Sequence, residues 1–502
     1  MAGVMGGIGI GGSMRHVKSK VRAVSSVTKA GVSWRQVSST ELGISNSMID
    51  KPTRLVLKSL RSKGFLVYLV GGCVRDLILN RIPKDFDVIT SARLNQVVRT
   101  FSHCEIVGRR FPICHVHLAD SIVEVSSFST VAKQPIRNSN PEFIKPRGCT
   151  DHDYIRWRNC VQRDFTINGL MFDPYSKIVY DYIGGIDDIK RSRVKTVIPA
   201  GASFTQDCAR ILRAFRIAAR LGFKFTKDIT SSLKELSSSV IRLDKGRILM
   251  EMNYMLAFGS AEASLRLLWK YGLLEILLPI QAAYFVSQGF RRRDKRSNLL
   301  LSLFSSLDRL LAPNRPCHSS LWISILAFHK ALADQPRDPL VIATFCLAVH
   351  NDGALSEAIR IAKSISRPYD SSFQELLDPR HLEDDILRVE VKDLAASVKL
   401  ALSKMTDESI ISRAMAEYPQ APSSDLVFIS LALQLKTDKI VSCIVKGRER
   451  GFVTKHGSKI NYEALAAGNL HEVRYMLSRI IFDTVYPPHL NNHERRVNGN
   501  SR

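Results

Sequence analysis

From about Asp50 the chain alternates between two periodicities. "TRLVLKSLRSKGF" spaces its apolar residues three and four apart, the interval of one helix face, whereas "LVYLV" is a short apolar run closed by glycine, the mark of a buried strand. "KDFDVIT", "CEIVG", "CHVHLA" and "SIVEVSSF" follow as further β-prone runs separated by helix or turn signals. Strands interleaved with helices predict a small mixed sheet with flanking helices over residues 50–190. Residues 131–160 hold three prolines and little periodicity, so they read as a loop or insertion in which Trp157 is partly buried. After Gly185 the strand signal ends, and nearly everything from 203 to 350 has amphipathic helical spacing. The expected fold class is α+β, a head followed by an all-α neck (191–285) and a helical C-terminal region (286–490), with residues 491–502 a disordered tail. "RRRDKR" at 291–296 reads as a solvated basic loop, and no internal repeat is visible.

Charge changes the picture. Across 502 residues, 72 Lys and Arg face 47 Asp and Glu, a net charge of +25, so the whole-molecule field attracts polyanions, nucleic acid first among them. With 45% apolar and 24% charged residues, a collagenous or wholly disordered chain is excluded. Nine cysteines without a C-x-x-C pair argue against a zinc ribbon or a disulfide frame. No apolar run approaches the roughly 18 residues that span a bilayer, so a membrane is not an expected partner. Residues 1–45 carry Arg15, Lys18, Lys20, Arg22, Lys29 and Arg35 and no acid before Glu41, the composition of a transit peptide or a disordered basic arm. The expected destination is a mitochondrion or chloroplast.

Candidate chemistry concentrates in "LVGGCVRDLILNRIPKDFDVIT", residues 69–90. Asp85 and Asp87 alternate with Phe86, so on a strand both carboxylates share one face while Phe86 turns to the core. Two adjacent carboxylates repel unless a cation lies between them, and Mg²⁺ takes such hard oxygen ligands while leaving positions for substrate phosphates. Gly71 and Gly72 end the preceding strand in a tight turn, where missing Cβ atoms let phosphate approach the N–H groups of the next helix.

G-G-x-V-R-D followed nine residues later by D-x-D resembles the nucleotidyltransferase superfamily, in particular the group of CCA-adding tRNA nucleotidyltransferases and bacterial-type poly(A) polymerases. The resemblance implies a triphosphate and metal site built from Gly71, Gly72, Arg75, Asp76, Asp85 and Asp87, with Glu124 of "SIVEVSSF" as third carboxylate. It implies nucleotide contacts from Arg163, Asp164 and Asn168 of "QRDFTING", a flexible pair Gly184-Gly185, and base reading by Asp207 and Arg210 of "QDCAR". Placed on a helix from 207 to 221, Cys208, Ile211, Leu212, Phe215, Ala218 and Ala219 share one face and Arg210, Arg213, Arg216 and Arg220 the other; Ile217 and Leu221 break the division, Gly222 stops the helix, and Asp207 and Arg210 come close enough to pair. "IVGRRFPICHVHL" is similar to a signature of the poly(A) polymerase branch, giving Arg109 and Arg110, with Arg213, as RNA or phosphate contacts. Gln162, Gln206 and Ser129 depart from the family pattern. The resemblance thus implies template-independent transfer of AMP from ATP to an RNA 3′ end with two Mg²⁺ ions. CCA addition to tRNA is the alternative within the same chemistry, and an RNA-binding relative with weak or lost turnover is the alternative outside it.

Overall fold

The computed structural model describes residues 34–109, 112–118, 121–132, 149–312, 315–416, 428–448 and 451–488. The expectations for residues 1–33 and 491–502 and for Arg110 lie outside that range. The chain forms two compact units, one of residues up to 163 together with 167–186, the other of 164–166 together with 187–502. The boundary expected at 190 falls close to this division, but the excursion of 164–166 is not written in any pattern along the chain.

Among its described residues the first unit holds eight strands: β1 (Arg35–Ser38), β2 (Val67–Val70), β3 (Asp87–Thr90), β4 (Cys104–Val107), β5 (Ile113–Leu118), β6 (Ser121–Ser127), β7 (Leu170–Asp173) and β8 (Ile178–Asp181). They lie in the order β1-β8-β7-β2-β3-β6-β5-β4, with β3 and β6 parallel and the other neighbours antiparallel. All five strands expected from the sequence are present. The hairpin β7–β8 and the edge strand β1 are additional. β1 pairs with β8, and Trp34 packs edge-on to Tyr182 at 5.1 Å, so residues 34–45 belong to the folded unit rather than to the basic arm assigned to 1–45. "RQVS" escaped notice because an exposed edge strand buries too little to need apolar residues.

One sheet face is apolar. Leu69, Val88, Cys114, Val116, Val123 and Val125 are buried on it, under helices α1 (Lys51–Ser62) and, after the short α2 (Gly72–Ile78), α3 (Leu94–Thr100). Asp50 caps α1 by accepting the Thr53 N–H, and Val56, Leu57 and Leu60 form its inner stripe. On the opposite face Tyr68, Val70, Ile89, Met171 and Tyr180 cluster with Trp157 and Cys160. Following the short α4 (Phe128–Ala132), these last two belong to α5 (Asp151–Val161), a Thr150-capped helix where a loop was expected. Its periodicity is masked because it buries an arginine: Arg156 donates to Tyr68 Oη (3.0 Å), Tyr182 Oη (2.8 Å) and Asp153 Oδ1 (2.7 Å), which meets the desolvation cost of the charge.

Helix α6 (Gly185–Lys190) carries the chain onward. The glycines before it are held rather than loose, because the Asp181 carboxylate accepts the N–H groups of Ile183, Gly184, Gly185 and Ile186. The second unit starts with strand β9 (Arg193–Val194), α7 (Ala200–Gln206) and α8 (Ala209–Leu221), continues through β10 (Lys224–Phe225), parallel to β9, and is helical from there. Helices such as Ser319–Asp334, Asp384–Thr406 and Leu470–Val485 build its core, and Arg474 pairs with Asp352 in full burial. The α+β head followed by helices is therefore the observed fold class. Among the described residues no helix is long and apolar enough to cross a membrane.

Candidate active site

In the first unit the candidate chemistry gathers where β2, β3 and β6 lie side by side. β2 ends at Val70, and Gly71 turns the chain at φ +80° into α2. A Cβ on Gly71 would stand 3.1 Å from Arg163 Nη1 and 3.2 Å from Asp87 Oδ2, so glycine is required both for the turn and for the space beneath it. Asp87 opens β3. Asp85 does not share the strand as expected; it lies in the bend before it, with its side chain 69% exposed and Lys84 Nζ at 3.9 Å. The strand begins two residues late because Pro83 has no N–H for the ladder and the exposed Lys84-Asp85 pair offers the sheet nothing to bury, whereas Phe86 is buried as anticipated.

The third carboxylate is where the sequence put it. Glu124 of β6 is the register partner of Asp87 across the parallel β3–β6 pair, so the two side chains stand on one face of the sheet. Burial pushes the Asp87 carboxyl up to about 6; Arg163 opposes this, and Asp85 and Glu124 add to it. Three carboxylates thus share one electrostatic neighbourhood with one guanidinium.

Other expected ligands are occupied within the fold. Arg75 and Asp76 are buried, with Arg75 Nε 2.9 Å from Asp76 Oδ1 and Arg75 Nη1 2.6 Å from Asn168 Oδ1. These three residues lock α2 to the turn before β7, a framework beneath the Gly71 turn rather than an open set of contacts. Trp157 lies in the core. Arg109 is exposed in the β4–β5 connection.

The second unit assembles a separate cluster. Asp164 Oδ1 accepts the Phe165 N–H at 2.8 Å, and its Oδ2 lies 3.3 Å from Arg213 Nη2, which also stands 3.9 Å from Asp207 Oδ2. Arg213, expected on RNA or phosphate, therefore bridges two aspartates. Helix α8 starts at Ala209 rather than at Asp207, and Asp207 Oδ1 accepts the Ala209 N–H at 3.0 Å. Arg210 does not pair with Asp207; its Nη1 donates to Ser203 Oγ at 2.9 Å and approaches Gln206 Oε1 at 3.5 Å, because the helix start swings Asp207 back over its own cap. Burial lowers the Arg210 pKa, against the pull of Asp164 and Asp207. Arg216 lies over the Tyr254 ring at 4.6 Å and pairs with Glu251. Of the expected inner face Ile211, Leu212, Phe215 and Ala218 are buried, whereas Cys208 precedes the helix and it and Ala219 are only half-buried; Ile217 and Leu221 are buried as well, and the helix stops at Gly222 in the left-handed region.

Of the residues that sequence reasoning left unassigned, His115 stands out. It is the register partner of Glu124 on β5, with Nε2 3.8 Å from Glu124 Oε1. The alternation in "CHVHL" was the available signal, since it puts both histidines on one face.

Residues 67–195 match the family described as the poly(A) polymerase head domain, and residues 222–285 match a probable RNA- and SrmB-binding site of polymerase A. A poly(A) polymerase I from Haemophilus influenzae is 31% identical over 273 residues, 54% of this chain and 60% of the relative. A CCA-adding enzyme from Staphylococcus epidermidis is 27% identical over 292 residues, 58% of this chain and 64% of the relative. The chain thus spans less than two thirds of either relative. Among solved structures, a CCA-adding enzyme from Bacillus stearothermophilus in complex with CTP aligns with 80% of this chain and 94% of its own at 21% identity and a TM-score of 0.43. With a matched head and a matched segment after it, the chain is similar to the class II nucleotidyltransferases, the family of bacterial poly(A) polymerases and CCA-adding enzymes.

Proposed function

We propose that the protein is a template-independent adenylyltransferase that adds AMP from ATP to RNA 3′ ends. The observation that carries this reading is the register pair Asp87–Glu124, with Asp85 beside it and Arg163 under the Gly71 turn. The RNA 3′-hydroxyl attacks the α-phosphate of ATP in line; an O3′–P bond forms and the P–O bond to pyrophosphate breaks. Arg163, set against the Gly71 turn, opposes the charge of the phosphates. Arg75, Asp76 and Asn168 keep that turn in place.

The residues fit a divalent cation, because the repulsion that Asp85 and Glu124 exert on Asp87 is what such an ion reverses. Asp85 and Asp87 would hold Mg²⁺, which when bound supplies Lewis-acid stabilisation of the phosphoryl oxygens. Among the described residues no three His, Cys, Asp or Glu side chains gather to cage an ion, so its remaining ligands would be water and phosphate. The Asp164–Arg213–Asp207 cluster with Arg210 is the set we assign to the nucleotide, with Asp207 accepting from the base and Arg210 donating to it. We assign the basic leader to import into a mitochondrion or chloroplast.

The test is incubation of the purified protein with an RNA bearing a free 3′-hydroxyl, Mg²⁺ and each nucleotide separately. Preferential AMP incorporation is expected. Efficient CMP incorporation on tRNA lacking its 3′ end would select CCA addition, and RNA binding without incorporation of any nucleotide would select the RNA-binding reading. Because Gln206 offers Arg210 a neutral oxygen where the family has a carboxylate, Gln206→Glu should raise the ratio of ATP to CTP incorporation by about fivefold, roughly one hydrogen bond. An unchanged ratio in Gln206→Glu, Asp207→Ala and Arg210→Ala alike would show that this cluster does not read the base.

A further inference from the structure

The sheet face that holds Asp87 carries more than the two carboxylates in register. Glu105 on β4 pairs with His115 on β5, His115 with Glu124 on β6, and Glu124 with Asp87 on β3. Cross-strand partners project to the same side, so these four form one row across four strands, in the order acid, histidine, acid, acid. On the reverse face the neighbouring positions Cys114, Val123, Val125 and Val88 are buried and apolar, so the polar row has no packing role of its own.

Three like charges in a row of four repel, and only His115 interrupts them. His117, two residues on and on the same face, engages Glu105, with Nε2 3.3 Å from Glu105 Oε1. His115 engages the other neighbour, its Nε2 3.8 Å from Glu124 Oε1. Glu124 needs such a partner. Its side chain is 51% exposed on a strand, and a glutamate there has three torsions that half-burial only partly restricts. The separation of 3.8 Å is beyond a hydrogen bond, so the contact forms only when one of the two side chains turns toward the other.

We propose that His115 is a positioning residue for Glu124, holding the third carboxylate in the rotamer in which it meets the RNA 3′ end. His115 Nε2–H donates to the carboxylate and offsets part of the repulsion from Asp87 and Glu105. The inference rests on the adenylyltransferase reading for the role of Glu124, and on the register of β5 and β6 for the role of His115.

The experiment uses the full chain, with steady-state addition of AMP to an RNA 3′ end as the kinetic readout and crystal structures of the wild type and His115→Ala as the structural one. His115→Ala should lower kcat by about tenfold, the order of loss when the partner that orients a functional side chain is removed, and leave KM for ATP within about twofold. His115→Gln, which restores a donor at similar reach, should recover most of the loss, and His117→Ala should leave kcat unchanged. Against a Glu124→Gln background His115→Ala should cost nothing further. Wild-type kcat in His115→Ala, or an equal loss in the Glu124→Gln background, overturns the proposal. So does a Glu124 side chain found in the same rotamer with and without the imidazole, a result that stands whatever the protein's activity. If Asp87→Ala and Glu124→Ala both retain turnover, the adenylyltransferase site itself is misassigned; if both are inactive while His115→Ala is unimpaired, only the positioning role fails.

Discussion

At the scale of single residues, the role proposed for Asp87 works against stability. Its carboxyl is pushed from the ordinary value of 3.8 to about 6, first by burial and then by Asp85 and Glu124, although Arg163 pulls the other way. The folded protein therefore binds this proton more tightly than the unfolded chain does, and stability falls as pH rises through the window between those values. Above it the ionised group costs about 1–3 kcal/mol. Asp87→Asn removes that cost. With a chelator present, the mutant should be more stable than the wild type at pH 7.5 in urea unfolding, and the gap should shrink toward zero at pH 4. A gap independent of pH would contradict the assigned environment. The D-x-D spacing made this residue legible in the sequence. The employment of Arg75 was not legible, because its partner Asn168 lies 93 positions away and only the fold brings them together. The same holds for Asp207, which the residue spacing paired with Arg210 but whose own helix cap pulls it toward the Ala209 N–H.

Most elements were readable where burial set a clean period; β4, which buries none of its residues, was readable from its β-prone composition alone. β2, β3, β5 and β6 each bury alternate or continuous apolar positions, and all four were visible along the chain. Helix α5 buries Arg156 and Asn159 beside Trp157 and Cys160, so its inner stripe is half polar and carries no amphipathic signal. Two glycines that end elements separate conformational cost from functional cost. Gly71 sits at φ 80°, ψ −138°, a region closed to other residues, and a Cβ there would press on Arg163 and Asp87. Gly222 sits at φ 71°, ψ 23°, an ordinary left-handed helix stop with nothing within 4 Å of an added Cβ. Gly71→Ala should cost about 1–3 kcal/mol and abolish incorporation. Gly222→Ala should cost about 1 kcal/mol and leave incorporation intact. Equal activity losses in the two mutants would show that the Gly71 turn is merely structural.

At the scale of the molecule, the order of an α+β portion before a helical one followed from the switch in periodicity near Gly185, but the true division did not, because the excursion of 164–166 into the second unit leaves no trace in pattern. Trp34 and β1 belong to the first unit, so a cleavable leader has to end before Trp34. Residues 1–33 fused to a fluorescent reporter should direct it to mitochondria or chloroplasts, and diffuse cytosolic signal would refute that destination. The excursion has a consequence for how the protein can be cut. Thr166 donates to Asp188 Oδ2 at 2.6 Å and Asp164 contacts Arg213, bonds made entirely inside the second unit by residues that lie, along the chain, inside the first. A contiguous fragment ending at 186 would carry these residues away from Asp188 and Arg213, and a fragment starting at 187 would lack them. Neither half is thus a transferable cassette: the division between the units matches no single break in the chain, so exchange of one half by a single crossover would have to rebuild the Asp164 and Thr166 bonds from foreign sequence.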